Sequence, residues 1–294
     1  MKRIGMIGVG LMGHGIATNI ARHGYPLTLL EHPGNQPLDA LLEAGASSTP
    51  EATALAGAVD VLILCVTGSP QVEEVLLRNG VLAALRAGTV VIDCSTAIPS
   101  STLKIAEAVQ QTGARFLDAP MTRTPKEAAQ GRLNLIVGGE RAVFDECKPL
   151  LECFAENIAY AGPASSGHRL KLLHNFVSLG FSAVLAEAAA CASRAGVDPA
   201  VLVSVLANGG GDGVVFGRLR PFIESADPSG FRFSMSNALK DMSYYVAMTG
   251  EVGAANEAAN AVKHMYERAV TEGGPNAPVP ELIALLAGEA PKAG

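Results

Sequence analysis

The chain has 294 residues, of which 49% are hydrophobic and 17% are charged. This composition supports a large buried core and excludes an intrinsically disordered protein, while the length favours two domains. The net charge of -6 and the lack of a basic cluster exclude a nucleic-acid partner, which Lys and Arg would have to hold. The five cysteines form no CxxC pair, which predicts reduced thiols in a cytoplasmic protein. Since no stretch resembles a spanning helix, we also expect no membrane partner.

Short β-rich runs recur through the first half of the chain. They cover residues 3–7, 27–31, 59–66, 89–93, 115–118, 134–137 and 157–160. Helical patterns such as residues 12–23 and 101–112 separate most of them, and this alternation is typical of βαβ units around a mainly parallel sheet. The sequence therefore predicts a doubly wound α/β Rossmann domain over residues 1–162.

The strand pattern stops after Gly162-Pro163. Residues 167–195 then have the pattern of one long helix, because after the initial Gly167 they contain no proline and a single glycine, Gly180. We expect an all-α domain over residues 163–294, ending in a short apolar helix and a frayed tail.

A glycine-rich motif follows the first predicted strand and opens the first predicted helix. Its residues are Gly8, Val9, Gly10, Leu11, Met12 and Gly13, which match the GxGxxG pattern. In this context the glycines allow a tight turn, a close approach of a pyrophosphate and close packing of helix on strand. The pattern predicts a dinucleotide site at the helix N-terminus, and a glycine turn without a ligand is the alternative.

Glu31 lies at the end of the second predicted strand, near the position of the acid that binds the adenosine ribose hydroxyls. A carboxylate there repels a 2′-phosphate, and the adjacent His32 supplies no permanent cation. We therefore expect NAD as cofactor in preference to NADP. A solvated glutamate at the end of the strand is the alternative.

The long predicted helix is apolar on most of its circumference, so we expect it to be largely buried. Five polar residues nevertheless fall on one face of it: Lys171, His174, Asn175, Ser178 and Ser182. Buried polar groups need partners, so this stripe predicts a polar cavity beside the helix, unless the stripe simply faces water. A lysine in such a cavity has a lowered pKa that suits general acid and base catalysis.

Six motifs together resemble the β-hydroxyacid dehydrogenase family, which includes 3-hydroxyisobutyrate dehydrogenase, tartronate semialdehyde reductase and, more distantly, 6-phosphogluconate dehydrogenase. They are Ile7 to Gly13 with Asn19, Asp93-Cys94-Ser95-Thr96, Asp118-Ala119-Pro120, Gly131 with Gly138-Gly139, Lys171 with Asn175, and Lys240-Asp241. The resemblance implies a Rossmann domain followed by a helical domain. It also implies hydride exchange between a nicotinamide and a carbon that bears a hydroxyl or carbonyl group.

The resemblance also implies roles for individual residues. Lys171 would protonate the carbonyl oxygen during reduction, and Asn175 would orient that oxygen. Ser95 and Thr96 would lie near the nicotinamide ribose and the substrate, and Lys240 would reach the cofactor. The adenosine side would be covered by Cys65, Val66 and Thr67, and the substrate by His174, Asn175 and Ser178.

One departure from the family bears on the substrate. Many members have Ser-Gly-Gly after the Asp-Ala-Pro motif, whereas this chain has Thr122, Arg123 and Thr124. The Arg-Thr version resembles the sulfolactaldehyde reductase branch, in which the arginine helps to hold a sulfonate. A guanidinium also suits carboxylate or phosphate, so the anion stays open, and a surface arginine is the alternative.

The leading interpretation is thus an NAD-dependent reductase of a short anionic aldehyde such as 3-sulfolactaldehyde. A dehydrogenase of a carboxylate substrate is the alternative, with 3-hydroxyisobutyrate, tartronate semialdehyde (2-hydroxy-3-oxopropionate) or a hydroxymethyl dicarboxylic acid as candidates. A non-catalytic dinucleotide-binding protein would be expected to lack Lys171, Asn175 and Lys240. We expect no metal, and the apolar helical half predicts a homodimer or homotetramer.

Overall fold

A computed structural model describes residues 1–289 of the chain. It divides into two compact units, the first from Met1 to Lys171 and the second from Leu172 onward, and residues 290–294, where the predicted frayed tail falls, lie outside the described residues. The strands are β1 (Ile4–Ile7), β2 (Leu27–Leu30), β3 (Ser47–Thr49), β4 (Val61–Leu64), β5 (Val90–Asp93), β6 (Arg115–Asp118), β7 (Met121–Thr122), β8 (Leu133–Gly139) and β9 (Ala155–Gly162).

These strands form one sheet in the order β3-β2-β1-β4-β5-β6-β8-β7, with β9 paired to β8. The strands from β3 to β6 are parallel, and β8 runs antiparallel to β6 and β7. Because β2 and β4 lie on opposite sides of β1, the chain reverses its direction of winding at β1. Ligands of doubly wound folds bind at such a point, beyond the carboxyl ends of the strands.

Helices cover both faces of the sheet, so its central strands are apolar at consecutive positions. Val61 and Ile63 of β4 belong to the core on one face, and Leu62 and Leu64 belong to the core on the other. The helices of this unit are α1 (Leu11–Arg22), α2 (Asp39–Glu43), α3 (Ala52–Ala58), α4 (Ser69–Glu73) with a π-helical turn at Glu74–Arg78, α5 (Val81–Ala84), α6 (Pro99–Gln111), α7 (Pro125–Ala129) and α8 (Arg141–Leu151).

The expected doubly wound α/β fold followed by a helical region is confirmed, and all seven predicted strands are present. The sequence analysis missed β3 and β7. Both are short, and Thr28 to Leu30 of β2 pair with the polar residues of β3, which carry no apolar alternation.

The second unit is helical and has its own core, which includes Leu179, Met242 and Tyr266. Its helices are α9 (Ser166–Arg194), whose first residues belong to the first unit, α10 (Pro199–Ala207), α11 (Val214–Ser225), α12 (Met235–Val252), α13 (Glu257–Gly273) and α14 (Leu282–Ala287). The 29-residue α9 agrees with the predicted long helix.

The expectation that α9 is largely buried is wrong for this chain. Val177 and Val184 are 68% and 62% exposed, and Leu170 and Leu173 are exposed as well. By length and composition alone α9 could also cross a membrane, which corrects the expectation that no stretch has this character. That is weak evidence, since core helices of soluble proteins pass the same test.

Candidate active site

The glycine-rich loop joins β1 to α1 at the point where the winding reverses. Gly8 has a φ of 93°, and a Cβ added there would lie 2.3 Å from the carbonyl oxygen of Cys65. A Cβ on Gly13 would lie 2.0 Å from the carbonyl oxygen of Gly8, whereas a Cβ on Gly10, the N-cap of α1, would meet no atom within 4 Å. The loop thus packs tightly at two glycines and leaves open space in front of the helix N-terminus. This arrangement fits a pyrophosphate bound by the first-turn amides of Leu11, Met12 and Gly13.

The carboxyl ends of β4 and β5 lie beside this loop. The amide of Val66 donates a hydrogen bond of 3.0 Å to Oγ of Ser95, and the amide of Ser95 donates one of 2.9 Å to Asp93. Burial and the nearby Asp93 raise the pKa of the Cys65 thiol to about 12, so this thiol is no acid or base at neutral pH. Thr67 and Thr96 continue the same two segments. The structure therefore brings Gly8, Cys65, Val66 and Ser95 together beyond the carboxyl ends of the strands.

Glu31 follows β2 and is exposed. Its Oε1 accepts a hydrogen bond of 2.7 Å from the hydroxyl of Ser48, which holds the carboxylate at the end of the strand. Asn35 accepts a bond of 3.1 Å from the amide of Val9 and donates one of 2.9 Å to the carbonyl of Leu30. Asn35 thereby couples the glycine loop to the Glu31 segment, although the sequence analysis gave it no role. Glu31, His32, Asn35 and Gln36 are among the residues that line one depression at the surface of this unit.

The N-terminal turn of α9 is held by Asp118 at the end of β6. The fully buried carboxylate accepts hydrogen bonds from the amides of Ser165, at 2.8 Å, and His168, at 2.9 Å. The backbones also touch directly, because a Cβ on Gly167 would lie 2.4 Å from the carbonyl oxygen of Ile136 in β8. Lys171 follows His168 by one helical turn. The first turn of its helix is thus fixed to the sheet by the Asp118 carboxylate and by a main-chain contact with β8.

The side chain of His168 is fully buried among polar groups of the same unit. Its Nε2 lies 3.1 Å from the carbonyl oxygen of Ser95, and its Nδ1 lies 2.8 Å from the hydroxyl of Thr102. Asp93 and Asp118 each place a carboxylate oxygen 3.9 Å from the ring. Burial raises the pKa of Asp93, and the neighbouring His168 opposes that rise. The sequence analysis gave His168 no role. The only feature of the sequence that could have drawn attention to it is its position three residues before Lys171.

The segment predicted to hold the anion of the substrate has partners within its own unit. Thr122 accepts a hydrogen bond of 3.1 Å from Asn134, and Thr124 forms a capping box with Glu127 at the start of α7. Nη1 of Arg123 contacts the carboxylate of Glu156 and the carbonyl oxygen of Arg132. Its φ is 84°, a left-handed conformation that favours glycine. An anion can therefore reach this guanidinium only in competition with Glu156.

In the second unit the predicted residues of α9 meet α12. Nδ2 of the buried Asn175 donates a hydrogen bond of 2.6 Å to Asp241, and Nζ of Lys240 lies 3.3 Å from the same carboxylate. Nδ1 of His174 lies 2.9 Å from Oδ1 of Asn175. Asp241 belongs to the Lys240-Asp241 motif on which the family resemblance partly rests, but the sequence analysis gave it no role. Its buried carboxylate fixes the orientation of the Asn175 amide.

The last two polar residues of the predicted stripe lie further along α9. Ser178 is half-buried, and Ser182 is fully buried. The hydroxyl of Ser182 donates a hydrogen bond of 2.9 Å to the carbonyl oxygen of Ser178, so its polar group is satisfied by the backbone of its own helix. The expectation that the whole stripe needs a polar cavity is therefore wrong at Ser182.

The fold and the glycine loop define a dinucleotide-binding protein, and comparison with known proteins narrows that class. Residues 3–162 match the family described as the NAD binding domain of 6-phosphogluconate dehydrogenase. Residues 165–286 match the family described as NAD-binding of NADP-dependent 3-hydroxyisobutyrate dehydrogenase. The chain therefore belongs to the 3-hydroxyisobutyrate dehydrogenase-like group of β-hydroxyacid dehydrogenases. It is an oxidoreductase that uses a nicotinamide dinucleotide and acts on CH–OH groups.

Individual relatives agree with this family. The chain is 36% identical to 2-hydroxy-3-oxopropionate reductase of Escherichia coli over 70% of either chain. It is 34% identical to NAD-dependent L-serine dehydrogenase of Pseudomonas aeruginosa over 72% of this chain and 71% of that protein. The crystal structure of 3-hydroxyisobutyrate dehydrogenase from Salmonella typhimurium superposes with a TM-score of 0.84 at 26% identity, covering 96% of this chain and 99% of that one.

Proposed function

We propose that Lys171 is the general acid and base of the reaction and that Asn175 orients the oxygen of the substrate. When bound, the nicotinamide supplies or accepts the hydride. An ammonium at Lys171 would donate a proton to the carbonyl oxygen during reduction and recover it during oxidation. Asn175 lies one turn beyond Lys171, and the buried Asp241 fixes the orientation of its amide. This fixed amide supports the assignment.

We further propose that NAD is preferred over NADP. Glu31 supports this preference because its carboxylate stands at the end of β2 and Ser48 holds it in place. Such a carboxylate accepts hydrogen bonds from ribose hydroxyls and repels a 2′-phosphate. Gly8, Gly10 and Gly13 would bind the pyrophosphate, and Lys240 would also contact the cofactor.

The substrate we propose first is 3-sulfolactaldehyde, and the observation that carries this choice is the backbone of Arg123. A non-glycine residue at a φ of 84° costs on the order of 1 to 2 kcal/mol, and residues under such strain concentrate at functional sites. The partner Glu156 does not prevent substrate binding. Its side chain is 41% exposed, and an ion pair this exposed holds the guanidinium only weakly, so an anionic substrate can take the place of the carboxylate.

A carboxylate substrate such as 2-hydroxy-3-oxopropionate is the second candidate. It is favoured by the 36% identity to the Escherichia coli reductase of that compound. It is also favoured by the contact of Arg123 with Glu156, which leaves the anion to be bound by backbone amides. A pocket separates two such anions by only a few kcal/mol, so the choice has to be measured.

The test is a comparison of kcat/KM for two aldehydes and one hydroxy acid that carry different anions. The purified enzyme is assayed with NADH or NADPH against 3-sulfolactaldehyde and 2-hydroxy-3-oxopropionate, and with NAD against 3-hydroxyisobutyrate. A higher kcat/KM for the sulfonate with NADH supports the first proposal. A higher value for 2-hydroxy-3-oxopropionate replaces it with the second, and turnover of none of the three compounds contradicts both.

We also propose that the enzyme works as a homodimer or homotetramer in the cytoplasm. Apolar side chains at the surface of the second unit support association, since large exposed apolar areas mark protein contacts. The most exposed of them are Val177, Val184, Val205, Val214 and Val252. The five cysteines are free, as a reducing compartment requires.

A further inference from the structure

We propose that His168 is a positioning residue for Lys171. Its imidazole ties the first turn of α9 to the main chain of Ser95, at the carboxyl end of β5. The proposal rests on the function proposed above, in which Lys171 moves the proton. His168 itself is buried and touches neither substrate nor cofactor in our assignment, so it would act only through the place that it gives to the lysine.

The hydrogen bonds of the ring define the tether. A carbonyl oxygen only accepts, so Nε2 of His168 carries a proton and donates it to the oxygen of Ser95. On the other side of the ring, Nδ1 faces the hydroxyl of Thr102 in α6. Two carboxylates, Asp93 from β5 and Asp118 from β6, flank the ring at 3.9 Å. Both ring nitrogens thus have a partner on the sheet side of the helix, and rotation of the ring would break both bonds.

The backbone of His168 is fixed as firmly as its ring. Its amide donates to Asp118, and the preceding Gly167 packs on the main chain of β8 without an intervening side chain. The two attachments reach different strands, because the amide binds the end of β6 and the ring binds the residues after β5. Loss of the ring therefore removes the link to the Ser95 segment and leaves the link to Asp118.

Ser95 is the point at which this tether meets the cofactor side of the site. Its hydroxyl oxygen accepts the amide of Val66, and the Val66 segment follows β4 beside Gly8. Lys171 lies one turn after His168, and residues three apart share a face of a helix. The tether thus sets the distance from the turn before Lys171 to the residues that we assign to the nicotinamide. Displacement of a catalytic group by about 1 Å can reduce a rate by about 10²-fold.

The test compares His168→Leu and His168→Gln with wild type at saturating NADH. The reaction is the single-turnover reduction of whichever aldehyde has the higher kcat/KM in the assays above. Leucine fills the space without hydrogen bonds, whereas glutamine keeps a donor for Ser95. We expect the rate constant of NADH oxidation to fall by about 10²-fold in His168→Leu and to recover most of that loss in His168→Gln. The Kd of NADH, measured by fluorescence, should change much less than this rate constant, because the glycine loop that we assign to the pyrophosphate is untouched.

A single-turnover experiment separates position from folding, since unfolded enzyme lowers the amplitude and not the rate constant. Phe154→Leu is the matched control: Phe154 is a fully buried core residue of the same unit, and the variant should lose thermal stability at an unchanged rate constant. A wild-type rate constant in His168→Leu, or equal losses in the Leu and Gln variants, would overturn the proposal. Lys171→Ala is measured in parallel, and a wild-type rate in that variant would refute the proposed function instead.

Discussion

Replacement of Arg123 by Gly should raise the KM for 3-sulfolactaldehyde by about 10-fold to 150-fold with little change in kcat. The magnitude follows from the charge-assisted hydrogen bond between guanidinium and anion, which contributes about 1.5 to 3 kcal/mol. An interaction made equally with substrate and transition state changes KM and leaves kcat nearly constant. Arg123→Lys should recover only part of the affinity, because a single ammonium cannot reproduce the planar set of donors.

The stability of Arg123→Gly distinguishes a binding role from a structural one. Glycine relieves about 1 to 2 kcal/mol of strain at a φ of 84°. The replacement also removes the exposed ion pair with Glu156 and adds about 0.5 to 1 kcal/mol of chain entropy to the unfolded state. These contributions nearly cancel, so the free energy of unfolding should change by about 1 kcal/mol or less. KM should therefore rise without a matching loss of stability.

The assay measures initial rates with the sulfonate and with 3-hydroxyisobutyrate, next to a urea unfolding curve for each variant. Glu156→Gln is the matched control, since it frees the guanidinium and should lower the KM for the sulfonate or leave it unchanged. Equal losses on both substrates in Arg123→Gly would mean that the arginine only holds the loop through Glu156 and the Arg132 carbonyl. No change on either substrate would place Arg123 outside the pocket.

Three further outcomes are expected. Lys171→Ala should lower kcat by about 10²-fold to 10⁴-fold and keep NADH binding, and a folded variant with near-full rate would remove Lys171 from the mechanism. Glu31→Asn combined with His32→Arg should shift kcat/KM from NAD towards NADP. A wild-type enzyme that already prefers NADP would contradict the role proposed for Glu31. The hydrogen bond from Arg115 lowers the pKa of Glu146 from 4.5 to about 2. The ionised carboxylate therefore stabilises the fold above pH 4.5, by about 1 kcal/mol or less at this exposure. Unfolding curves of Glu146→Gln and wild type should converge as the pH falls from 4.5 to about 2, and a difference that persists at low pH would contradict this origin.

The strands that the sequence predicts are those buried on both faces of the sheet. Continuous apolar runs such as Val61 to Leu64 arise because both faces are covered by helices, and that pattern is visible in the sequence. The two strands that it missed depend on their neighbours. β3 is held by β2 and β7 by β8, and neither has enough apolar alternation to be recognised on its own.

The candidate site likewise has features that the sequence predicts and features that it does not. The glycine loop is a local motif whose spacing carries its geometry, and its turn and tight contacts are those expected. The partners of Arg123 are not local, since Glu156 is brought to it by the pairing of β8 with β9. The residues around His168 come from the ends of β5 and β6 and from α9, so no fixed spacing in the sequence relates them. A buried acid such as Asp118, placed at the end of an apolar strand, signals that some partner is required but does not identify it.

The polar stripe of α9 shows what periodicity can and cannot decide. Spacing puts Lys171, Asn175 and Ser182 on one face, yet their surroundings differ. Ser182 is satisfied by its own helix, and Asn175 by the carboxylate of Asp241. The turn before Lys171 is held by a second buried carboxylate, that of Asp118. Lys171 thus follows a turn that is bound to one buried acid, and Asn175, one turn later, is itself bound to another. Because Asp118 holds the turn before Lys171, the proposed proton transfer requires motion of the lysine side chain and not of its backbone.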